Sequence, residues 1–310
     1  MKKRKWAKAL GIALGALVAL CAAVLAYIPF MQMDGYVRRH VDFAKVYEGP
    51  DFGAAAERLT LVTEDGLSLA AWRVDAKKPR AAVIFTSGIH SPSVTAFFGH
   101  AAMLQKAGYS SVLVEMRAHG ESEGDLICLG TKEYMDVRAA VRHVQSMDPE
   151  LPIVAYGLSM GAGAAINAIG ETPEIDALVT LSAFSTWPDV FADNMALMGI
   201  PRFVCDLEKP FVRLYMGVRY GFDSLRVNPL NEIRKLNGRP ALLMHSRGDT
   251  QVPFASFEKL AEAAPGARTH VVDGDHHFIC DDNFLNPEAD EAYANAVLGF
   301  LNEHFPPSDG

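Results

Sequence analysis

Cysteine is scarce in this chain: Cys21, Cys128, Cys205 and Cys280 are the four in 310 residues. No two stand at a metal-ligand spacing such as C-x-x-C, so a thiolate metal site is not indicated. Cys21 falls inside an apolar run, and the other three are too far apart in sequence to read as a disulfide framework. One bridge stays open, since sequence does not choose a pair; the favoured reading is of small buried hydrophobes. A basic excess is lacking too. Lys and Arg number 29 against 37 Asp and Glu, a formal net charge of -8. Nucleic acid is thereby excluded as a partner, because phosphate binding needs a basic face. There is no internal repeat and no low-complexity tract. What is present is a 50% hydrophobic, 21% charged composition, which suits a folded protein with one sizeable core, or a core plus a small insert.

The basic residues that do cluster are Lys2, Lys3, Arg4, Lys5 and Lys8. They precede an uncharged apolar stretch from Ala9 to about Met31, long enough to cross a bilayer as a helix. Trp6 and Tyr27 stand near its two ends, where interfacial aromatics are expected. The positive-inside rule keeps the basic cluster in the cytoplasm and exports the rest. The expectation is a single-pass membrane protein whose catalytic domain is extracytoplasmic. A cleaved signal peptide is the rival; its apolar region would be shorter, and the best small-x-small candidate, Val24-Leu25-Ala26, is weak. Leu20 before Cys21 does not fit a lipoprotein site. Residues 1–31 are thus read as basic cluster and anchor, 32–57 as a mixed linker that either lies along the membrane or packs on the domain, and 58–305 as the folded domain.

Within that domain, residues 58–63 and 67–74 are strand-like runs around Glu64-Asp65-Gly66, which is hairpin punctuation. Further strands are expected at 81–86, 110–115, 152–156, 177–181, 241–245 and 269–273. Helices are expected at 97–107, 131–145, 160–169, 254–264 and 289–304. This alternation indicates a mostly parallel sheet covered on both faces. The rhythm breaks between Leu181 and Ala241. A stretch holding Trp187, Phe191, Met195, Met198, Phe203, Phe211, Tyr215 and Tyr220 reads there as a cap insert, about 183–238.

Gly157-Leu158-Ser159-Met160-Gly161 is a G-x-S-x-G segment directly after a strand and directly before a small-residue helix. A sharp strand-to-helix turn in that context lifts the serine hydroxyl clear of the sheet, and the helix N-terminus favours negative charge beside it. The competing description, a glycine-tolerant turn with a satisfied serine, has less to explain the context. A dinucleotide loop fits worse, since Gly161-x-Gly163 lacks the third glycine.

Here the chain resembles the α/β-hydrolase superfamily, in its serine-aminopeptidase-like and small-esterase branch. Glu115-Met116-Arg117-Ala118-His119-Gly120-Glu121-Ser122-Glu123-Gly124 is similar to the D-x-R-G-H-G-x-S-x-G stretch after the fourth strand, departing at Glu115 and Ala118. Glu133-Tyr134-x-Asp136-Val137 matches a helix start of that branch. Arg247-Gly248-Asp249-Thr250-Gln251-Val252-Pro253 matches the stretch that carries the acid. The resemblance spans about residues 58–304 and implies an α/β-hydrolase fold with a Ser-His-Asp triad in the chain order nucleophile, acid, histidine. Ser159 is then the nucleophile and Asp249 the acid, with Asp189 a weaker candidate because it enters the insert. For the base, glycine three residues earlier selects His277 and aspartate immediately before selects His276. Phe278 fits the first register better, so His277 is taken as the base with His276 as the alternative. The backbone N–H groups of Met160 and Ile89 are expected to form the oxyanion hole, Ser87-Gly88-Ile89-His90 replacing the usual H-G-x. His90 and Ser91 are read as loop or pocket residues, and Arg117 and His119 as loop hydrogen-bonders.

The activity implied is hydrolysis of a carboxylic ester with an apolar acyl group, without a cofactor. A thioesterase, amidase or aminopeptidase would use the same triad, and a binding protein on a hydrolase fold is the alternative from another class. A metal site built from Asp273, Asp275, His276 and His277 is disfavoured, since no further ligand motif accompanies them.

Overall fold

The computed structural model describes residues 2–307, and the side chains of Lys2 and Lys3 in the basic cluster lie outside the described residues. The apolar N-terminal stretch forms one helix, α1 (Lys2–Val37). It outruns the anchor boundary expected at Met31. Beyond that point Met33 and Val37 continue a helical apolar spacing and are buried in the main core, as is Val41. The segment expected to be a mixed linker is thus strapped to the domain. Ile127 N–H donates to the Val37 carbonyl, and Val41 exchanges backbone bonds with Ala118 and Gly120.

A hairpin follows, β1 (Ala56–Val62) against β2 (Ser68–Val74), antiparallel throughout. The chain then alternates: β3 (Ala82–Thr86), α2 (Phe98–Lys106), β4 (Ser110–Val114), α3 (Tyr134–Met147), β5 (Ile153–Leu158), α4 (Met160–Glu171) and β6 (Ala177–Leu181). The expected insert comes next, as α5 (Trp187–Leu197), α6 (Arg202–Tyr220) and the short α7 (Pro229–Glu232) with flanking 3-10 turns. β7 (Ala241–Ser246), α8 (Ala255–Ala263), β8 (Arg268–Val272) and α9 (Glu291–His304) complete it. The eight strands form one sheet in the order β1-β2-β4-β3-β5-β6-β7-β8, parallel from β4 to β8.

Apolar residues on both sides of each central strand explain the two-sided cover. In β3, Ala82 and Ile84 enter the core layer shared with α3 and α4. Val83 and Phe85 enter the opposite layer with α2 and α9. β5 divides the same way, Ile153 and Ala155 to one side, Val154, Tyr156 and Leu158 to the other. The consequence for function is positional. Parallel strands bring the C-terminal ends of β3, β5, β6, β7 and β8 to one edge, where loops in open α/β sheets build sites. The four cysteines are free thiols, Cys21 exposed and the rest buried.

Candidate active site

Ser159 sits between β5 and α4 with φ 54 and ψ -115, a backbone region that costs a non-glycine residue about 1–3 kcal/mol. The glycines around it have no room for side chains. A Cβ at Gly157 would meet the Gly161 carbonyl oxygen at 2.3 Å, and one at Gly161 would meet the Ser87 and Thr86 oxygens at 2.4 and 2.5 Å. Two backbone bonds hold the turn: Ser159 N–H to the Leu181 carbonyl at 2.8 Å and Gly163 N–H to the Ser159 carbonyl at 3.1 Å. Met160 opens α4, so its N–H is among those a helix cannot bond internally.

Asp249 follows β7 and its side chain is buried. One carboxylate oxygen accepts the N–H groups of Gln251 and Val252 at 2.8 and 2.9 Å. The other accepts from His277 Nδ1 at 2.8 Å. Burial alone would push this carboxyl up, but His277, the Val252 N–H and His245 outweigh it and hold the pKa below the usual aspartate value. His277 is buried, and Ser182, just past β6, donates its hydroxyl to the His277 carbonyl at 2.7 Å. Since Leu181 accepts from Ser159 and Ser182 donates to His277, the end of β6 ties the two loops to one another. His276 turns elsewhere and pairs with Asp281. Asp189 does not reach either histidine; its carboxylate lies against Lys209 and Lys259. Burial raises that group, yet the two ammonium groups overcome it and bring it to about 2.

The acidic and histidine residues near 273–277 do not converge on a common point. Asp275 accepts from Thr250 N–H and hydroxyl, and Asp273 faces Arg247. Among the described residues, no group of three or more His, Cys, Asp or Glu is placed to hold a metal ion.

The loop after β3 lies over the elbow: a Cβ at Gly88 would be 3.6 Å from the Ser159 Cβ. Next to it, Ile89 is half-buried. Several buried polar groups fix this loop. Ser87 donates to the Pro92 carbonyl at 2.7 Å, and His90 N–H approaches His119 Nε2 at 3.4 Å. His119 in turn bonds the Arg117 carbonyl at 2.8 Å, and burial draws its pKa down to about 4, so it is neutral. Arg117 donates to Asp136 and Asp65. Burial works against its charge, but those carboxylates raise its pKa regardless. Both residues therefore act as loop hydrogen-bonders. Glu115 accepts from the Ser93 hydroxyl at 2.7 Å and the Val94 N–H at 3.4 Å; full burial lifts its pKa to about 7. Two supports had no signal in the sequence pattern. Ser182 is an ordinary serine after a strand, and Ser93 an ordinary serine in a loop. Glu115 was visible only as a departure from the aspartate expected there.

Residues 77–204 match the serine aminopeptidase family of hydrolases. Among curated proteins, YfhR of Escherichia coli O157:H7 is 26% identical over 273 residues, 83% of this chain and 85% of that protein. YqkD of Bacillus subtilis is 25% identical over 175 residues, 54% of this chain and 56% of its own length. Among solved structures, the esterase Pf2001 of Pyrococcus furiosus superposes with a TM-score of 0.65 at 25% identity, covering 86% of this chain and 98% of that one. The α/β-hydrolase GrgF of Penicillium does so at 0.62 and 18% identity, covering 81% and 99%, which speaks to the fold alone.

Proposed function

Given that the chain belongs to the α/β-hydrolase superfamily, we propose that it is a serine ester hydrolase acting through Ser159, His277 and Asp249. The observation that carries this reading is the 2.8 Å bond between His277 Nδ1 and a doubly anchored Asp249 carboxylate, together with a serine held at positive φ on a strand-to-helix turn. That bond leaves Nε2 as the ring nitrogen free to serve the serine. In the proposed reaction Ser159 Oγ attacks the ester carbonyl carbon while His277 Nε2 takes its proton. The oxyanion is received by the N–H groups of Met160 and Ile89. The imidazolium, stabilised by Asp249, protonates the departing alcohol; water then attacks the acyl-enzyme, gives a proton to His277, and releases the acid as Ser159 is reprotonated. The name of the esterase Pf2001 supports ester substrates.

We propose further that α1 is an uncleaved anchor with the domain outside the cytoplasm. In its support, the last turns of α1 are part of the core.

The test of the chemistry is covalent labelling by a fluorophosphonate probe, followed by turnover on a panel of acyl esters, thioesters and aminoacyl amides. Ser159→Ala is expected to remain folded, lose labelling, and lose on the order of 10⁴-fold or more in ester turnover. Near-native turnover by that variant would remove Ser159 from the mechanism. Preference for the aminoacyl amides would move the substrate to the aminopeptidase side of the same triad.

A further inference from the structure

The two ends of α1 differ. From Arg4 to Cys21 the helix is exposed on every side, Leu10, Leu14, Leu17 and Val18 each by more than half, with nothing in the protein against them. From Ala22 on, one face is half-buried or buried: Ala22, Leu25, Ala26, Pro29, Phe30 and Met33, at helical spacing. The helix packed against α1 is α6 of the cap. Phe30 meets Tyr215 edge to face at 4.9 Å. Asp34 accepts from the Tyr215 hydroxyl at 2.7 Å and from Arg219 Nε at 2.8 Å, and the Arg219 guanidinium lies over the Phe30 ring.

This pairing sets the depth of the cap. The hydrocarbon core is about 30 Å thick and a helix rises about 1.5 Å per residue, so a span entered at Ala9 is left about 20 residues later, near Ile28. Phe30 and Asp34 then lie at headgroup level on the outer side, and α6, which packs on them, is brought to the membrane surface with them. The other side of α6 is apolar where it has no protein partner. Phe203, Leu207, Leu214 and Val218, spaced four, seven and four residues apart, are 69%, 53%, 42% and 53% exposed. Phe222 extends the stripe at 62%. Between these positions Val212, Tyr215 and Met216 turn inward to the core. Arg213 borders the stripe on a stem long enough to carry its charge to headgroups, whereas Arg202 and Lys209 at the same border are paired with Asp193, Asp206 and Asp189.

We propose that α6 is a membrane-docking helix. It lies in the outer-leaflet interface beside α1, with Phe203, Leu207, Leu214 and Val218 among the acyl chains, and it brings the site to esters dissolved in the bilayer. The inference rests on α1 being an uncleaved anchor and on the site being an ester hydrolase. Lipid rather than a second copy is the occupant because the stripe lies on the helix packed against the proposed anchor at the membrane surface, and the anchor is itself exposed on every side from Arg4 to Cys21. The site is close to that surface as well. The Tyr36 carbonyl, in the last turn of α1, accepts from His90 Nε2 at 2.6 Å, and the two rings pack at 4.2 Å. His90 adjoins Ile89 in the loop over Ser159.

The test uses the full-length protein in phosphatidylcholine vesicles, in a Cys21→Ala background so that the exposed thiol takes no label. A bimane is placed at Leu214→Cys and, for comparison, at Glu262→Cys on the exposed side of α8. The Leu214 label is expected to be quenched by lipids brominated in their acyl chains and not by aqueous iodide, and the Glu262 label the reverse. Combined Leu207→Asp, Leu214→Asp and Val218→Asp should lower hydrolysis of a long-chain ester in vesicles about tenfold, leaving a water-soluble short-chain ester unaffected. A Leu214 label open to iodide, on protein that resists carbonate washing, overturns docking while the anchor stands. Loss of the protein in that wash removes the anchor and the docking together. A label closed to both quenchers means a second copy covers the stripe, and overturns the proposal. Absence of ester turnover on every substrate counts against the hydrolase reading, and the label still decides whether α6 is docked.

Discussion

His276 and His277 are adjacent, yet their imidazoles serve different carboxylates: Asp281 for the first, Asp249 for the second. A general base needs one ring nitrogen for the serine and the other for an acid that fixes its tautomer. Only the second arrangement uses an acid that is itself pinned by backbone N–H groups and buried. We expect His277→Ala to abolish acylation and His276→Ala to lower it less than about tenfold, as read from pre-steady-state bursts with a chromogenic ester. The opposite order would transfer the role to His276. Spacing alone leaves this one-residue choice open, because both registers satisfy a local pattern; which imidazole faces Asp249 depends on contacts 28 residues apart. Glu115 illustrates a different limit. Its carboxyl is raised to about 7 from an ordinary 4.5 because burial disfavours the charge, Ser93 and Val94 offsetting only part of this. A pKa higher in the folded state means the protonated form is preferred there. Its contribution is whole below about pH 4.5, falls as pH rises, and is lost above about pH 7, roughly 3 kcal/mol in all. Glu115→Gln should therefore flatten the decline in unfolding free energy between about pH 5 and about pH 8, measured by urea titration at several pH values. An equal decline in both proteins would show that Glu115 is not the group responsible.

At the scale of elements, the strands and helices of the domain were legible because their apolar periods are clean: β3 and β5 are apolar on both sides, and α3 and α8 on one. The end of α1 was not. Met33 and Val37 sit among polar residues in sequence, and it is their burial under the domain, with Asp34 held by Arg219 and Tyr215, that prolongs the helix. The nucleophile turn joins two elements through absent side chains. Gly161 lets the first turn of α4 press against the ends of β3, with Thr86 donating to its carbonyl at 3.0 Å. A Cβ there meets backbone oxygens of Thr86 and Ser87, and backbone cannot swing aside as a side-chain tip can. Gly161→Ala should cost about 1–3 kcal/mol of stability and displace the loop that carries Gly88 and Ile89. Turnover should drop more than substrate binding, since a shifted oxyanion donor matters most in the transition state. A variant with native stability and native kcat would contradict this account of the glycine.

For the molecule as a whole, the question is which side of a bilayer receives the hydrolase domain. Lys2, Lys3, Arg4, Lys5 and Lys8 precede the apolar stretch, while the residues after Met31 carry both signs, Arg38 and Arg39 with Asp34 and Asp42. Moving basic residues across the membrane during insertion is disfavoured, so the side with the denser positive cluster stays cytoplasmic. On the proposed topology the domain faces outward, held at the membrane by α1 and by its strap to the core rather than hung on a free tether. We expect protease added to intact cells stripped of any outer barrier to degrade the domain, and a tag placed before Lys2 to survive. We also expect the protein to sediment with membranes after carbonate washing. Doubling the basic residues after Met31 while replacing Lys3, Arg4, Lys5 and Lys8 by glutamine should protect the domain in part of the population, because the bias is set by the difference across the span. Full protection of the native domain would place it in the cytoplasm and reverse the orientation; recovery of a shortened, unanchored form would mean that α1 is cut.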